Sequence, residues 1–178
     1  MFNVVHGLGG DCGGPLVSHS DVSAVSFTGG TSTGATVAAL AAPQFKKLSL
    51  ELGGKNPCVV FADCDLEATV RGVVRSSFLN SGQICLCGSR IIVEDDGEGF
   101  YERFVDALAT AAASLRVGNP AHPETNMGPL SSAAHREKIA RYVDLAREDG
   151  GRIIAGGAPP TVEELRELEV RERESVCV

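Results

Sequence analysis

The chain has 178 residues, of which 43% are hydrophobic and 22% are charged, a length and balance typical of a folded globular protein. Its formal net charge of −7 argues against nucleic acid as a main partner, because phosphate binding needs a basic face. No apolar run approaches the ~20 residues that span a bilayer, and the first residues do not resemble a signal peptide. We therefore expect a cytoplasmic protein with neither a membrane nor a nucleic acid as its partner.

The six cysteines, at positions 12, 58, 64, 85, 87 and 177, are expected to be free thiols. Disulfide frameworks are typical of secreted proteins of this size, and no export signal is evident. Cys85 and Cys87 form a C-x-C pair, but no second pair stands at the spacing of a zinc site. The sequence therefore predicts no metal centre.

Residues 1–53 are predicted to form an α/β domain. Strands are predicted at 2–5, 22–27 and 47–52, glycine-rich turns at 7–14 and 28–34, and a helix at 35–42. The order of strand, glycine turn, helix and strand is the βαβ pattern of a parallel sheet.

A Gly-Gly-Lys-Asn-Pro run separates this domain from a second predicted domain, residues 54–157. Strands are predicted there at 58–61, 90–93 and 152–155, and helices after Asp63 or Asp65, over 100–115 and over 132–147. A divergent charged tail, residues 158–178, follows, and Thr161 and Glu164 in it have the spacing of a capping box. A solvated helix and a disordered segment both remain open for this tail.

The turn at 28–34 lies between a strand and a helix, where backbone N–H groups can approach a phosphate at the positive end of the helix. Its glycine spacing differs from G-x-G-x-x-G, so an ordinary tight turn is the alternative interpretation. The turn considered alone leaves both interpretations open.

Cys85 differs from the other cysteines because Gly82 precedes it and Gly88 follows it. Turn residues on both sides favour an exposed sulfur, as a nucleophilic thiolate requires. Free cysteines are otherwise usually small buried residues, which is the interpretation that we adopt for Cys87 and the remaining four.

Glu51 interrupts an apolar run just before a double glycine. A solvent-facing position on a strand explains a carboxylate there. A carboxylate that faces a cleft at the end of a strand and serves as a general base explains it equally.

Four segments of the chain, in the same order, resemble motifs of the aldehyde dehydrogenase superfamily. Residues 2–9 resemble N-V-V-x-G-x-G, 27–34 resemble F-T-G-S-T-x-x-G, 50–57 match L-E-L-G-G-K-x-P, and 80–85 resemble N-x-G-Q-x-C. Gly30 stands where the family usually has a serine. The spacing between Glu51 and Cys85 is also that of the family, and the resemblance extends over about residues 1–157.

The residues beside the predicted nucleophile indicate a branch of this superfamily. Residues 84–87 and their flanks most resemble the 2-aminomuconic semialdehyde dehydrogenases, and betaine-aldehyde-type enzymes remain an alternative. The sequence leaves the aldehyde substrate itself undetermined.

The resemblance implies a partial aldehyde dehydrogenase fold of the α/β class. Residues 1–53 would be the second part of a Rossmann-like cofactor domain, and 54–157 the first part of the α/β catalytic domain. The resemblance also implies NAD as cofactor, with NADP not excluded, a small aldehyde as substrate, and assembly into homodimers or homotetramers.

The resemblance assigns roles to individual residues. Cys85 would attack the aldehyde, its backbone N–H would donate to the oxyanion, and Glu51 would activate the water that hydrolyses the thioester. The residues implied to bind the cofactor are Thr28, Gly29, Gly30, Thr31, Gly34, Leu52 and Gly53.

Family members are much longer, and this chain lacks their upstream ribose-binding lysine and oxyanion asparagine and their downstream E-x-F-G-P segment. We therefore expect these 178 residues to be a fragment with little or no turnover by itself. Two alternatives remain: a non-catalytic fragment that pairs with full-length subunits, and a cofactor-independent thiol esterase. The turn at 28–34 argues against the esterase, which would have no need of it.

Overall fold

The computed structural model describes residues 2–161. Contacts within the chain divide it into two compact units, Met1–Gly54 and a second that begins at Lys55, and each is described by itself. Glu164, half of the predicted capping box, lies outside the described residues.

The first unit is built on one parallel pair of strands. Its elements are α1 (Gly14–Ser18), β1 (Ala24–Thr28), α2 (Thr31–Ala41) and β2 (Lys47–Glu51), with a π-helical turn at Gly9–Gly13 and a 3-10 turn at Ala42–Gln44. The pairing of β1 with β2 runs in register from Ala24 opposite Lys47 to Thr28 opposite Glu51. The predicted βαβ order is thus confirmed.

The core of the first unit lies between its two helices and one face of the strand pair. Val17 of α1 and Val37 and Ala41 of α2 are buried there. Val25, Phe27 and Leu50 of the strands pack against them. Burial of these side chains holds α2 on the strands, since a pair of strands alone is only marginally stable in water.

Two predictions for the start of the chain are wrong. Residues 2–5 form no strand, and Phe2 is 99% exposed; a strand needs a neighbouring ladder, and none of the described residues provides one. The glycine cluster is not an open turn, since Gly9–Gly13 is helical and continues directly into α1. Pro15 in the first turn of α1 favours that continuation, because its fixed φ suits the start of a helix.

The helix predicted at 35–42 begins four residues earlier, at Thr31. Gly30 has extended backbone angles and caps the helix without a side chain. Helix α2 therefore starts directly after the glycine turn, and the N–H groups of its first turn face no capping side chain.

The second unit also contains one parallel pair of strands. Its elements are β3 (Pro57–Val60), α3 (Leu66–Phe78), β4 (Arg90–Val93), α4 (Phe100–Ala113) and α5 (Ala133–Glu148), with a short turn at Leu79–Gly82. Pro57 lies opposite Arg90, and Val60 lies opposite Val93. These elements confirm the predicted strands at 58–61 and 90–93 and all three predicted helices to within a few residues.

The core of the second unit forms where α3 and α4 cover the strand pair. Its buried members are Val60, Val70, Val73, Phe100 and Phe104. The two phenylalanine rings, one helical turn apart on α4, have their centroids 6.1 Å apart. Leu66 and Val74 pack against this cluster beside Val70 and Val73, so the apolar side of α3 faces the core.

The strand predicted at 152–155 is absent. Ile153 and Ile154 are 38% and 46% exposed, and none of the described strands pairs with them. Gly150, Gly156 and Gly157 flank the segment with positive φ angles, which turn the chain where a strand would continue.

Asp96 stabilises the start of α4. The backbone N–H groups of Phe100 and Glu98 donate to its carboxylate at 3.0 and 2.9 Å, and these bonds lower the pKa of Asp96. Because the pKa is lowered in the folded state, this stabilisation is complete above the unfolded pKa and is lost as the pH falls through the lowered value.

None of the described helices is long and apolar enough to cross a membrane. Within the same residues, no group of three or more histidines, cysteines and carboxylates is placed to hold a metal ion.

Of the two predicted caps of α3, the structure selects Asp65, whose carboxylate accepts from the N–H of Ala68 at 2.9 Å. We expect Asp65→Ala to lower the free energy of unfolding by about 1 kcal/mol, because the N–H groups at the helix start lose their acceptor. Asp63→Ala is the matched control and should change it by less than about 0.5 kcal/mol, since Asp63 is exposed and does not cap the helix. Urea titration followed by far-UV circular dichroism measures both, and equal effects would contradict the assignment.

Candidate active site

The segment that carries Cys85 begins with three consecutive residues in the left-handed region. Asn80 and Ser81 have φ angles of 53° and 56°, and Gly82 has a φ of 69°. Such angles are unfavourable for residues with a Cβ atom, although asparagine and glycine tolerate them better than others. The N-x-G part of the motif therefore supplies residue types suited to a sharp exit from α3.

Two hydrogen bonds tether this strained segment to a more distant part of the chain. The Ser81 hydroxyl donates to the carbonyl of Gly128 at 2.7 Å, and the backbone N–H of Ser131 donates to Oε1 of Gln83 at 3.2 Å. These bonds hold the chain in angles that it would otherwise leave. The sequence gives no sign of these contacts, because the bonded residues are far apart in the chain.

Cys85 and Cys87 are two residues apart but have opposite surroundings. Cys85 is exposed, and so is Leu86 after it, at 81%. Cys87 is only 5% exposed, and its thiol lies 3.8 Å from the carbonyl of Leu79. The predicted exposure of Cys85 and the predicted packing role of Cys87 are both confirmed.

Asn56 is a residue whose contribution the sequence did not reveal. Its side-chain Nδ2 donates to the carbonyls of Cys85 at 2.5 Å and of Cys87 at 3.1 Å. Its own carbonyl accepts from the N–H of Arg90 at 3.2 Å, at the start of β4. Its position directly before β3, beside the strand that follows the cysteines, was the available signal.

The loop is also fixed on its other side, by α3. The Ser77 hydroxyl donates to the carbonyl of Gly88 at 2.8 Å, and the N–H of Gly88 donates to Oγ of Ser76 at 3.2 Å. A Cβ atom on Gly88 would lie 2.7 Å from that same Oγ. A side chain at the position after Cys87 would therefore displace the Ser76 hydroxyl of α3.

The residues predicted to bind a cofactor gather at one end of β1 and β2 in the first unit. The predicted cofactor residues on the turn and the start of α2 are Thr28, Gly29, Gly30 and Thr31, all exposed. The N–H of Gly29 donates to the carbonyl of Glu51 at 3.0 Å. Gly53 lies near Thr31: a Cβ atom added to Gly53 would be 3.9 Å from the hydroxyl oxygen of Thr31.

Gly34 and Leu52 have a packing relationship in addition to their predicted role. Gly34 is buried in α2, and a Cβ atom there would lie 2.5 Å from Cδ2 of Leu52. The small residue thus allows the helix to lie close to the end of β2. Their role in cofactor binding stays a prediction.

Glu51 is the last residue of β2 and is exposed. The described residues of its own unit leave its side chain open to water, so they do not provide the dry cleft that the general-base interpretation invokes. Glu51 belongs to the first unit and Cys85 to the second. The role of each stays a prediction.

Comparison with protein families gives one match over most of the chain. The sequence model described as the aldehyde dehydrogenase family matches residues 1–168. A 2-aminomuconic 6-semialdehyde dehydrogenase from Pseudomonas is 47% identical over 161 residues, which are 90% of this chain and 32% of the relative. A betaine aldehyde dehydrogenase from Bacillus subtilis is 42% identical over 166 residues, 93% of this chain and 33% of the relative.

Solved structures show the same similarity. PnpE from Pseudomonas sp. WBC-3, in complex with nicotinamide adenine dinucleotide, superposes with a TM-score of 0.84 at 40% identity, over 91% of this chain and 33% of that one. A betaine aldehyde dehydrogenase from Staphylococcus aureus, in complex with NAD+, gives a TM-score of 0.85 at 36% identity, over 93% of this chain and 32% of that one. The chain therefore spans about a third of the length of the relatives that it matches.

The strained turn before Cys85 leads to a prediction about Gly82. We expect Gly82→Ala to lower the free energy of unfolding by about 2 kcal/mol, because alanine is strained at this φ and its Cβ atom would meet the carbonyl of Ser77 at 3.3 Å. Gly97→Ala is the matched control: its φ is also 69°, but nothing lies within 4 Å of the added atom. Gly97→Ala should lower the free energy of unfolding by only about 1 kcal/mol. Urea titration measures both variants. Equal decreases in the free energy of unfolding would show that the contact between residue 82 and the carbonyl of Ser77 has no effect on stability.

Proposed function

The chain belongs to the aldehyde dehydrogenase family, and we propose that it contributes to the NAD-dependent oxidation of an aldehyde to a carboxylic acid. Its fold is part of an aldehyde dehydrogenase fold. The observation that carries the proposal is the exposed Cys85, held between a strained turn and a buried second cysteine. The domain assignment is likewise proposed: residues 1–53 belong to the cofactor domain and 54–157 to the catalytic domain.

The reaction that we propose for Cys85 is nucleophilic. Its thiolate forms a bond to the carbonyl carbon of the aldehyde, and the electron pair of the C=O bond moves to the oxygen. The backbone N–H of Cys85 donates to that oxygen, as donors of an oxyanion hole do. The exposure of Cys85 supports this role, because an incoming aldehyde needs unobstructed access to the sulfur.

Glu51 is proposed to serve in the hydrolytic half of the reaction. Its carboxylate accepts a proton from the water that attacks the thioester carbon, the C–S bond breaks, and the Cys85 thiolate is regenerated. Its place at the carboxyl end of β2 supports this role, since loops and strand ends are where catalytic groups commonly lie.

The first unit provides a fitting place for a dinucleotide phosphate. Helix α2 begins at Thr31 behind Gly30, which has no side chain to cap it, and an uncapped helix start favours an anion. The residues proposed to hold the cofactor are Thr28, Gly29, Gly30, Thr31, Gly34, Leu52 and Gly53. NAD, when bound, would supply the acceptor for the hydride that leaves the former aldehyde carbon as its C=O bond re-forms, and this leaves a thioester on Cys85. Two of the related structures are complexes with NAD.

The substrate is proposed from the relatives. The similarity to 2-aminomuconic semialdehyde dehydrogenases from Pseudomonas and from mouse, at 47% and 46% identity, favours a 2-aminomuconic semialdehyde over betaine aldehyde. Assembly of the parent protein into homodimers or homotetramers stays a prediction.

The catalytic pair can be tested in a chimera in which residues 1–157 replace the matching third of the Pseudomonas 2-aminomuconic 6-semialdehyde dehydrogenase. We expect Cys85→Ser to lower the rate of NADH formation by at least about a thousandfold, because the nucleophile is lost. Glu51→Gln should give a burst of about one NADH per site followed by slow turnover, because acylation proceeds and hydrolysis does not. Cys87→Ser is the control and should retain activity.

Each result in the chimera has a defined meaning. Activity that persists after Cys85→Ser would contradict the assignment of the nucleophile, and loss of the burst after Glu51→Gln would contradict a purely hydrolytic role. A polypeptide of the 178 residues alone is expected to show little or no turnover, so robust oxidation by it would contradict the fragment hypothesis. Ester cleavage by it without nucleotide, abolished by Cys85→Ser, would favour the esterase alternative.

The phosphate site can be tested separately by placing a negative charge in the first turn of α2. We expect Ser32→Asp to weaken NAD binding to the chimera roughly tenfold, because the carboxylate repels a phosphate at close range. The same charge stabilises a helix start, so weaker binding would not reflect unfolding. Thr36→Asp, one turn further along α2, is the control and should have a smaller effect. Isothermal titration calorimetry measures the affinities, and equal effects would contradict a phosphate at this helix start.

A further inference from the structure

The loop after α3 carries two thiols that lie in different environments. Cys85 and Cys87 are separated by the single residue Leu86, yet one thiol is exposed and the other is buried. Some interaction must therefore determine which cysteine faces an incoming substrate.

The Asn56 side chain contacts the backbone on both sides of Leu86. A carboxamide nitrogen carries two N–H donors, and Nδ2 of Asn56 lies within hydrogen-bond distance of the carbonyls of Cys85 and Cys87, at 2.5 and 3.1 Å. The backbone carbonyl of Asn56 is fixed in turn by the N–H of Arg90 at 3.2 Å. One half-buried side chain thus bridges two carbonyls whose orientations determine the path of the loop.

We propose that Asn56 is a positioning residue that selects Cys85 over Cys87 as the thiol presented to the aldehyde. The proposal rests on the proposed function only in naming the aldehyde as the partner of the exposed thiol. Asn56 does not touch the reacting atoms. It acts by holding both carbonyls toward one donor group, which keeps Cys87 turned toward the carbonyl of Leu79.

Selective alkylation of the purified chain tests the proposal without aldehyde or cofactor. Iodoacetamide labelling at neutral pH, resolved residue by residue by fragmentation mass spectrometry, gives a rate constant for each cysteine. In the unaltered chain, Cys85 should react much faster than Cys87. In Asn56→Ala and in the isosteric Asn56→Asp, which both lack the amide donors, we expect Cys87 to react roughly ten- to a hundredfold faster than before.

Two control variants separate this role from general weakening of the structure. Ser77→Ala removes the bond to the carbonyl of Gly88, next along the same loop, but leaves the two Asn56 bonds, so Cys87 should stay protected. Asn119→Ala removes a side chain whose Oδ1 accepts a local turn bond from the N–H of Ala121 at 3.0 Å, and it should change no labelling rate. The half-buried Cys58 and Cys64 report on global opening in every variant.

The labelling rates either support or overturn the proposed role of Asn56. Faster labelling of Cys87 with unchanged rates at Cys58 and Cys64 would support the proposal. It would be overturned if Cys87 stayed protected in both Asn56 variants, if Cys58 and Cys64 accelerated in step with Cys87, or if Ser77→Ala had the same effect. Loss of far-UV circular dichroism in both Asn56 variants would also overturn it, because Asn56 would then be required for folding rather than for selecting a thiol.

The proposed function can fail independently of this inference. An inactive or Cys85-independent chimera would refute the catalytic role of Cys85, whereas the labelling pattern would still report on Asn56. Conversely, unchanged labelling in the Asn56 variants would leave the nucleophile assignment intact.

Discussion

Parallel pairing of two strands is the constraint on which each unit depends, because parallel neighbours can be joined only by a crossover connection, usually a helix. In the first unit the crossover contains α2, and the pairing places Thr28 beside Glu51 at the carboxyl ends of the strands. In the second unit the crossover contains α3 and the cysteine loop. Pairing of Pro57 with Arg90 brings the residue before β3 next to the loop that leads into β4.

This geometry gives two proposed roles to the segment that joins β2 to β3. The run from β2 to β3 begins with Glu51, the proposed base, and reaches Asn56 five residues later. Asn56 then bonds the carbonyls around the proposed nucleophile. The motif L-E-L-G-G-K-x-P and the motif N-x-G-Q-x-C are therefore physically linked in this chain through a side chain at the variable position of the first motif.

The nucleophile loop combines strain with a high density of restraints. Asn80 and Ser81 have left-handed angles, each at a cost on the order of 1 kcal/mol or more. Bonds from Ser81, Gln83 and Asn56 to distant backbone groups hold the segment in place. Strain of this kind persists only where the surroundings determine the conformation, and a fixed, exposed thiol is a reason for a chain to maintain it.

The sequence by itself determined most of the local elements and predicted which residues react. The βαβ order, the amphipathic face of α3 and the exposure of Cys85 follow from residue types and spacing, which act over a few positions. The tertiary structure alone decided the features that depend on distant partners. Residues 2–5 and 152–155 have strand-like composition but find no ladder among the described residues. Asn56 gained its contacts only because strand pairing brought it against the backbone around Cys85.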